Sequence, residues 1–186
     1  RLPGDFRATE SEDGDRRDNS TFRNWSGGAK LLYDISTRHQ LGFNVSHIDN
    51  SYGIPPNSRT RFVRYWRFPD WQKTVYSLSS RHLFSSAFIV RTVLFHDTYY
   101  NLLKSYDDDS YTTQNMRYAW NSRYDDHSTG FFLYPSLKLW DRGSTNAVIA
   151  YKQDVHREKF RDFPFDDYEM ATFSAGIEQD VQITEK

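Results

Sequence analysis

Between Phe131 and Val155 the chain alternates apolar and polar positions on both sides of a central turn. Before the turn, the residues between successive apolar positions include Ser136 and Lys138; after it, Ala147, Ile149, Tyr151 and Val155 alternate with Val148, Ala150, Lys152 and Asp154. A period of two over about ten residues is the signature of a strand with one apolar and one polar face. The same period recurs along the chain. Ala29, Leu31, Tyr33 and Ile35 oppose Lys30, Leu32 and Asp34; Leu41, Phe43 and Val45 oppose Gly42, Asn44 and Ser46. A long segment from about Thr60 to Phe84 sets Thr74, Tyr76, Leu78 and Phe84 against Ser77, Ser79 and Arg81, and Pro69 within it implies a bulge or an edge position. In "FIVRTVLFHDTYYNLLKSY" apolar residues fall on both parities, so its facing stays open. Near the C-terminus Ala171, Phe173, Ala175 and Ile177 oppose Thr172, Ser174, Gly176 and Glu178. No segment shows a convincing helical period.

These segments predict an all-β chain, an antiparallel up-and-down meander of about seven long strands. Residues 1–25 read as loop and the strands run from about 26 to 183, in a single segment 1–186 without a second domain. The connections alternate in character. "STRHQ", "FSSA" and "DRGSTN" are short, whereas "DNSYGIPPN", "DDDSYTTQ" with its continuation, and "RDFPFDD" are longer and acidic or aromatic. In a meander, alternate connections fall on opposite ends, so one end carries tight turns and the other elaborated loops. Membrane β-barrels share that asymmetry, and a strand tilted near 40° crosses a ~25 Å hydrocarbon band with about 10 residues. A partial transmembrane barrel is therefore expected. Half-buried sheets of soluble proteins alternate in the same way, but their strands usually run about five or six residues.

Composition sharpens this expectation. Aromatics make up 17% of the residues in a chain that is hydrophilic overall. A strand-built membrane protein has this profile because only alternate residues meet lipid. The formal net charge is −1, with acids and bases interspersed, which argues against nucleic acid as a partner. Cysteine is absent, removing disulfides and thiolate chemistry. No apolar run is long enough for a transmembrane helix. No phosphate-binding, dinucleotide, zinc-protease or nucleophile-elbow motif occurs, so an enzyme is not expected. His39, His47, His82, His96, His127 and His156 are scattered, and no metal or other cofactor is expected. The acids Asp107, Asp108, Asp109, Asp125 and Asp126 have the oxygen chemistry for calcium, but solvated loop charge is the simpler reading. Sequons at Asn19, Asn24 and Asn44 are short matches of the kind that arise by chance.

The residues suited to ligand contact gather toward the long-loop end. Tyr52, Trp66, Trp71, Tyr111, Trp120 and Tyr124 offer flat, rigid surface to a bulky ligand. Arg64, Arg117 and Arg123, with Arg61 and Arg67 nearby, suit an anionic one such as a ferric chelate. An interfacial aromatic girdle, loop packing and salt bridges to the abundant Asp residues account for the same residues. Lys30, Asp34, Asn44, Ser46, Ser136, Lys138, Lys152, Asp154 and Glu178 are expected to share the side away from lipid.

"RYWRFPDWQKTVYSLSSRHLF", "HDTYYNLLKSYDDDSY", "WNSRYDDHSTGF" and "NAVIAYKQDVHRE" resemble the middle of the barrel of TonB-dependent outer-membrane receptors. The resemblance extends from about Ala29 onward. It implies a barrel segment of a bacterial outer-membrane receptor that takes up a scarce, bulky solute such as a ferric siderophore. It also implies contact with outer-membrane lipid, a plug domain, the remaining barrel strands and an inner-membrane energising complex. The family's plug, coupling box and remaining strands are not found in these residues, so the chain is expected to be a fragment. A soluble β-rich carbohydrate-binding module and a passive porin-like channel are the alternatives.

Overall fold

The computed structural model describes residues 17–57, 63–140 and 143–183. Seven strands follow in chain order: β1 Phe22–Ser36, β2 His39–Ile54, β3 Tyr65–Leu83, β4 Phe88–Tyr106, β5 Trp120–Trp140, β6 Gly143–Phe160 and β7 Asp166–Val181. Each pairs antiparallel with its sequence neighbours, giving one up-and-down sheet ordered β1 to β7. No helix occurs among the described residues. The sheet is not closed, and β1 and β7 form its two edges. The β1–β2, β3–β4 and β5–β6 connections leave the strands at one end of the sheet, and the longer β2–β3, β4–β5 and β6–β7 connections at the other.

The register shows how the alternating pattern becomes two faces. Leu31 pairs with Phe43, Phe43 with Leu78, Leu78 with Leu94, Leu94 with Phe131, Phe131 with Tyr151 and Tyr151 with Phe173. Directly opposed residues share a face, so one unbroken row of large apolar side chains crosses every strand. The adjacent row runs Tyr33, Leu41, Ser80, Thr92, Leu133, Ile149, Ala175. This face is hereafter the belt. On the other face Lys30 pairs with Asn44, Asn44 with Ser77, Ser136 with Asn146, and Asn146 with Glu178. All nine polar residues assigned to one side from the sequence lie there together. Register also settles β4: Phe88, Val90, Thr92 and Leu94 join the belt, while Ile89, Arg91, Val93 and Phe95 take the polar face.

The belt is exposed. Leu31 is 66% accessible, Leu78 46%, Leu94 50% and Phe173 68%. The buried hydrophobic residues among those described are Tyr111, Ala119 and Ala150; no described Leu, Ile, Val or Phe is buried.

Several boundaries differ from the sequence reading. β2 continues through "DNSYGI" to Ile54, and β1 starts at Phe22. Cross-strand pairing with β1 and β3 supplies partners there despite unfavourable local composition. Pro69 sits at register shifts against both neighbours, between Asn50 and Tyr52 on one side and Arg67 and Asp70 on the other. A residue without an N–H is accommodated at such a bulge.

Candidate functional site

The ends of β3, β4, β5 and β6 on the long-loop side enclose an open cavity of about 1050 Å³. Pairing places Trp66 opposite Ser105 and Ser105 opposite Trp120, while Ser122 opposite Phe160 brings that ring alongside. Trp66 and Trp120 meet edge to face at 5.7 Å, and Trp120 and Phe160 lie 5.1 Å apart. Three strands thus line up three rings on the polar face. Ser105, buried between the two indoles, allows this approach because its side chain is small.

Cations sit upon that aromatic row. The Arg64 guanidinium lies 4.9 Å from the Trp66 ring centre and that of Arg161 lies 5.3 Å from Phe160. Arg117 also lines the cavity, and its carbonyl accepts a hydrogen bond from Arg161 Nη2. A guanidinium stacked by its face keeps its edge N–H groups for a planar or multivalent anion. The acids at the rim are directed elsewhere. Asp107 accepts from the backbone N–H groups of Asn115 (2.7 Å) and Met116 (2.8 Å), and Asp108 accepts from Ser110 N at 3.0 Å. Desolvation alone would raise the Asp107 carboxyl, but those N–H groups and the Thr113 hydroxyl outweigh it and hold it below the usual carboxylate range.

The β4–β5 loop that roofs this region is pinned by Gln114, whose amide donates to Ser105 O at 2.8 Å and Asn121 Oδ1 at 2.9 Å. Farther along the same face Tyr52 stacks on Phe68 at 4.8 Å and Trp71 meets Tyr99 at 5.4 Å. Together with Tyr124 they line a second hollow of about 270 Å³, with buried Asn101 donating to Tyr99 Oη at 2.6 Å. The polar face at this end is therefore a continuous aromatic surface.

Of the residues proposed from sequence, Trp66, Trp120, Arg64 and Arg117 line the large cavity, and Tyr52, Trp71 and Tyr124 the small one. Tyr111 does neither. It is buried within its loop at a left-handed φ of 53°, against Tyr65 and Tyr106, with the Arg67 guanidinium 4.0 Å from its ring. Burial pushes its phenol up to about 12. Arg123 pairs with Leu102 on the belt side and stacks on Tyr100 at 5.0 Å, away from the cavity. Arg61 lies outside the described residues. Phe160 and Arg161 were not found by sequence reading, because only the register of β6 against β5 brings them to Trp120.

Of the acids weighed for calcium against solvated loop charge, Asp107 and Asp108 accept from loop N–H groups and Asp125 and Asp126 face cations and donors of β5 and β6. Asp126 accepts from His156 Nδ1 at 2.9 Å and from Arg157 N at 3.0 Å, and Asp125 lies 3.7 Å from both Arg123 and Arg157. No group of three or more potential ligands that could hold a metal ion occurs among the described residues. The Asn19 amide donates to the carbonyls of Ile54 and Trp66 and accepts from Arg67, so the sequon there is used as a fold anchor.

No protein-family profile matches the chain, and no curated protein or solved structure matches it either.

Proposed function

We propose that this chain is a β-barrel segment of an outer-membrane receptor of the TonB-dependent kind, taking up a bulky anionic solute such as a ferric siderophore. The observation that carries the reading is the apolar row from Leu31 to Phe173, exposed on six of the seven strands and half-buried at Phe131 on β5, while no described Leu, Ile, Val or Phe is buried. A water-soluble sheet with that face would have to cover it. Lipid covers it without any further protein layer. The strand lengths fit as well. A 21-residue strand such as β5, at the tilt usual for barrels, reaches about 50 Å along the membrane normal. That exceeds the hydrocarbon band and lifts the cavity end clear of it.

In this reading the polar face lines the lumen, and the open edges β1 and β7 pair with further barrel strands, since uncovered edges invite association. The cavity of Arg64, Trp66, Arg117, Trp120, Phe160 and Arg161 is the outer ligand site. Its size is at the upper end of small-molecule sites, which suits a large chelate more than a simple ion or sugar. A carbohydrate module would share the aromatic surface but has no use for the belt. Transport past the site requires a plug and an inner-membrane energising complex as partners, and the protein performs no covalent chemistry.

The test is uptake. In cells that depend on the complete protein for a labelled ferric chelate, Trp120→Ala together with Arg161→Gln should lower chelate binding at least tenfold while the protein still reaches the outer membrane. Unchanged binding and uptake across ferric hydroxamate, catecholate and citrate would overturn the proposed ligand class.

A further inference from the structure

The belt face carries a second cluster above its apolar rows, separated from the Phe131–Tyr151 row by two mixed rows that hold Thr129 and Gln153, then His127 and Val155. Arg123, Arg157 and Lys159 converge on one ring, that of Phe165 from the β6–β7 connection, at 5.4, 4.7 and 6.0 Å. Arg123 pairs directly with Lys159. Register puts these cations on the same face as Phe131 and Tyr151, opposite the ligand cavity. Asp125 and Asp167 are the acids that touch the cluster, the latter 2.9 Å from Arg157 Nε. Lys159 makes no ion pair among the described residues. Both arginine side chains keep more than a third of their surface accessible.

Their height is informative. About ten residues cross the hydrocarbon. Counted upward from the paired Leu137 on β5 and Thr145 on β6, that span ends at the paired His127 and Val155. Arg157 lies two residues beyond Val155, roughly 5 Å farther along the normal, and Lys159 about 10 Å farther. Long cationic side chains there reach back toward the interface while their stems stay on apolar surface. Tyr100, which stacks on Arg123, occupies the same level.

We propose that Arg123, Arg157, Lys159 and Phe165 form a site for the phosphate of an anionic lipid in the surrounding leaflet, whose acyl chains lie on the belt below. The inference rests on the membrane reading above. It is distinct from the ligand site, which uses the other face. Apolar rows lower on the same face as a cation cluster match the build of such a lipid, whereas a free anion has no use for them. The carboxylates of Asp125 and Asp167 temper the cluster, so that affinity depends on the headgroup approaching from the lipid side.

The test reconstitutes the complete protein, with the strands that pair with β1 and β7, in phosphatidylcholine vesicles containing one-fifth phosphatidylglycerol. A fluorophore on a single cysteine at position 94, quenched by a lipid-borne quencher, first reports whether the belt meets hydrocarbon. Spin-labelled phosphatidylglycerol and phosphatidylcholine then report the selectivity of the protein surface. Wild type should prefer the anionic lipid. Arg157→Gln and Lys159→Gln should each reduce that preference about fivefold, the equivalent of about 1 kcal/mol per cation near a charged surface. Asp167→Asn should raise it, an increase that misfolding does not produce. Equal selectivity in all variants, with position 94 quenched, overturns the lipid site alone. Abolition of the preference by 10 mM inorganic phosphate would assign the cluster to a free anion and likewise overturn it. Position 94 left unquenched overturns the membrane reading and this site together.

Discussion

Leu94 and Ser77 stand on adjoining strands one register position apart and on opposite faces, and an arginine at each separates lipid from water as the medium against the belt. Leu94 is 50% accessible and pairs with Leu78 and Phe131. If that accessible half faces hydrocarbon, Leu94→Arg places a guanidinium near mid-bilayer and costs about 2–4 kcal/mol. If it faces water, the loss is limited to about half of a leucine's burial, roughly 1 kcal/mol, offset in part by the apolar stem of arginine. Ser77→Arg, between Asn44 and Phe95 on the polar face, should stay within about 0.5 kcal/mol. Urea titration of the complete protein in phosphatidylcholine vesicles reads the difference as a shift in midpoint at constant slope. A gap of about 3 kcal/mol is about a hundredfold in the folding equilibrium. Equal costs for the two substitutions would refute the assignment of the belt to lipid.

Other predictions follow from local geometry. Gly130→Ala would bring a Cβ to 2.4 Å from Tyr151 O and 2.7 Å from the Phe95 ring, so it should destabilise by about 1–3 kcal/mol in the same titration. Gly53→Ala would clash with Asn19, whose carbonyl lies 2.2 Å from the added atom, and should release residues 17–21 to proteolysis while β3 to β6 remain protected. Tyr111 Oη is buried without a partner, so Tyr111→Phe should be neutral or stabilise the 107–119 loop by up to about 1 kcal/mol. Because that phenol is raised to about 12 while the unfolded chain titrates near 10, the folded loop holds the proton more tightly. Its stability is whole below pH 10 and falls as pH rises through about 12; hydrogen exchange should show this in wild type and not in Tyr111→Phe.

Much of the sheet was legible because the pattern of period two is local. Leu31, Phe43, Leu78 and Tyr151 each announce their side through their own neighbours in sequence, and Pro69 announces its bulge. The facing of β4 was not legible, since Val93 and Phe95 on the polar face are as apolar as Leu94. Phe95 is there to lie over Gly130 and against Phe132 at 5.7 Å, a cross-strand fit no single segment reveals. The aromatic site was half legible for the same reason. Trp66 and Trp120 stand out by type, whereas Phe160 and Arg161 acquire meaning only from pairing across strands, and Arg123 and Tyr111 were drawn in by composition though geometry sends them elsewhere.

The central claim is tested most directly by scanning β4 from Phe88 to Thr98 with a fluorophore on single cysteines, which the absence of native cysteine makes clean. With the complete protein in lipid vesicles carrying a quencher in the acyl region, positions 90, 92 and 94 should be quenched and 91, 93 and 95 should not. Equal response on both parities, or none at any position, would contradict a sheet with one side against lipid.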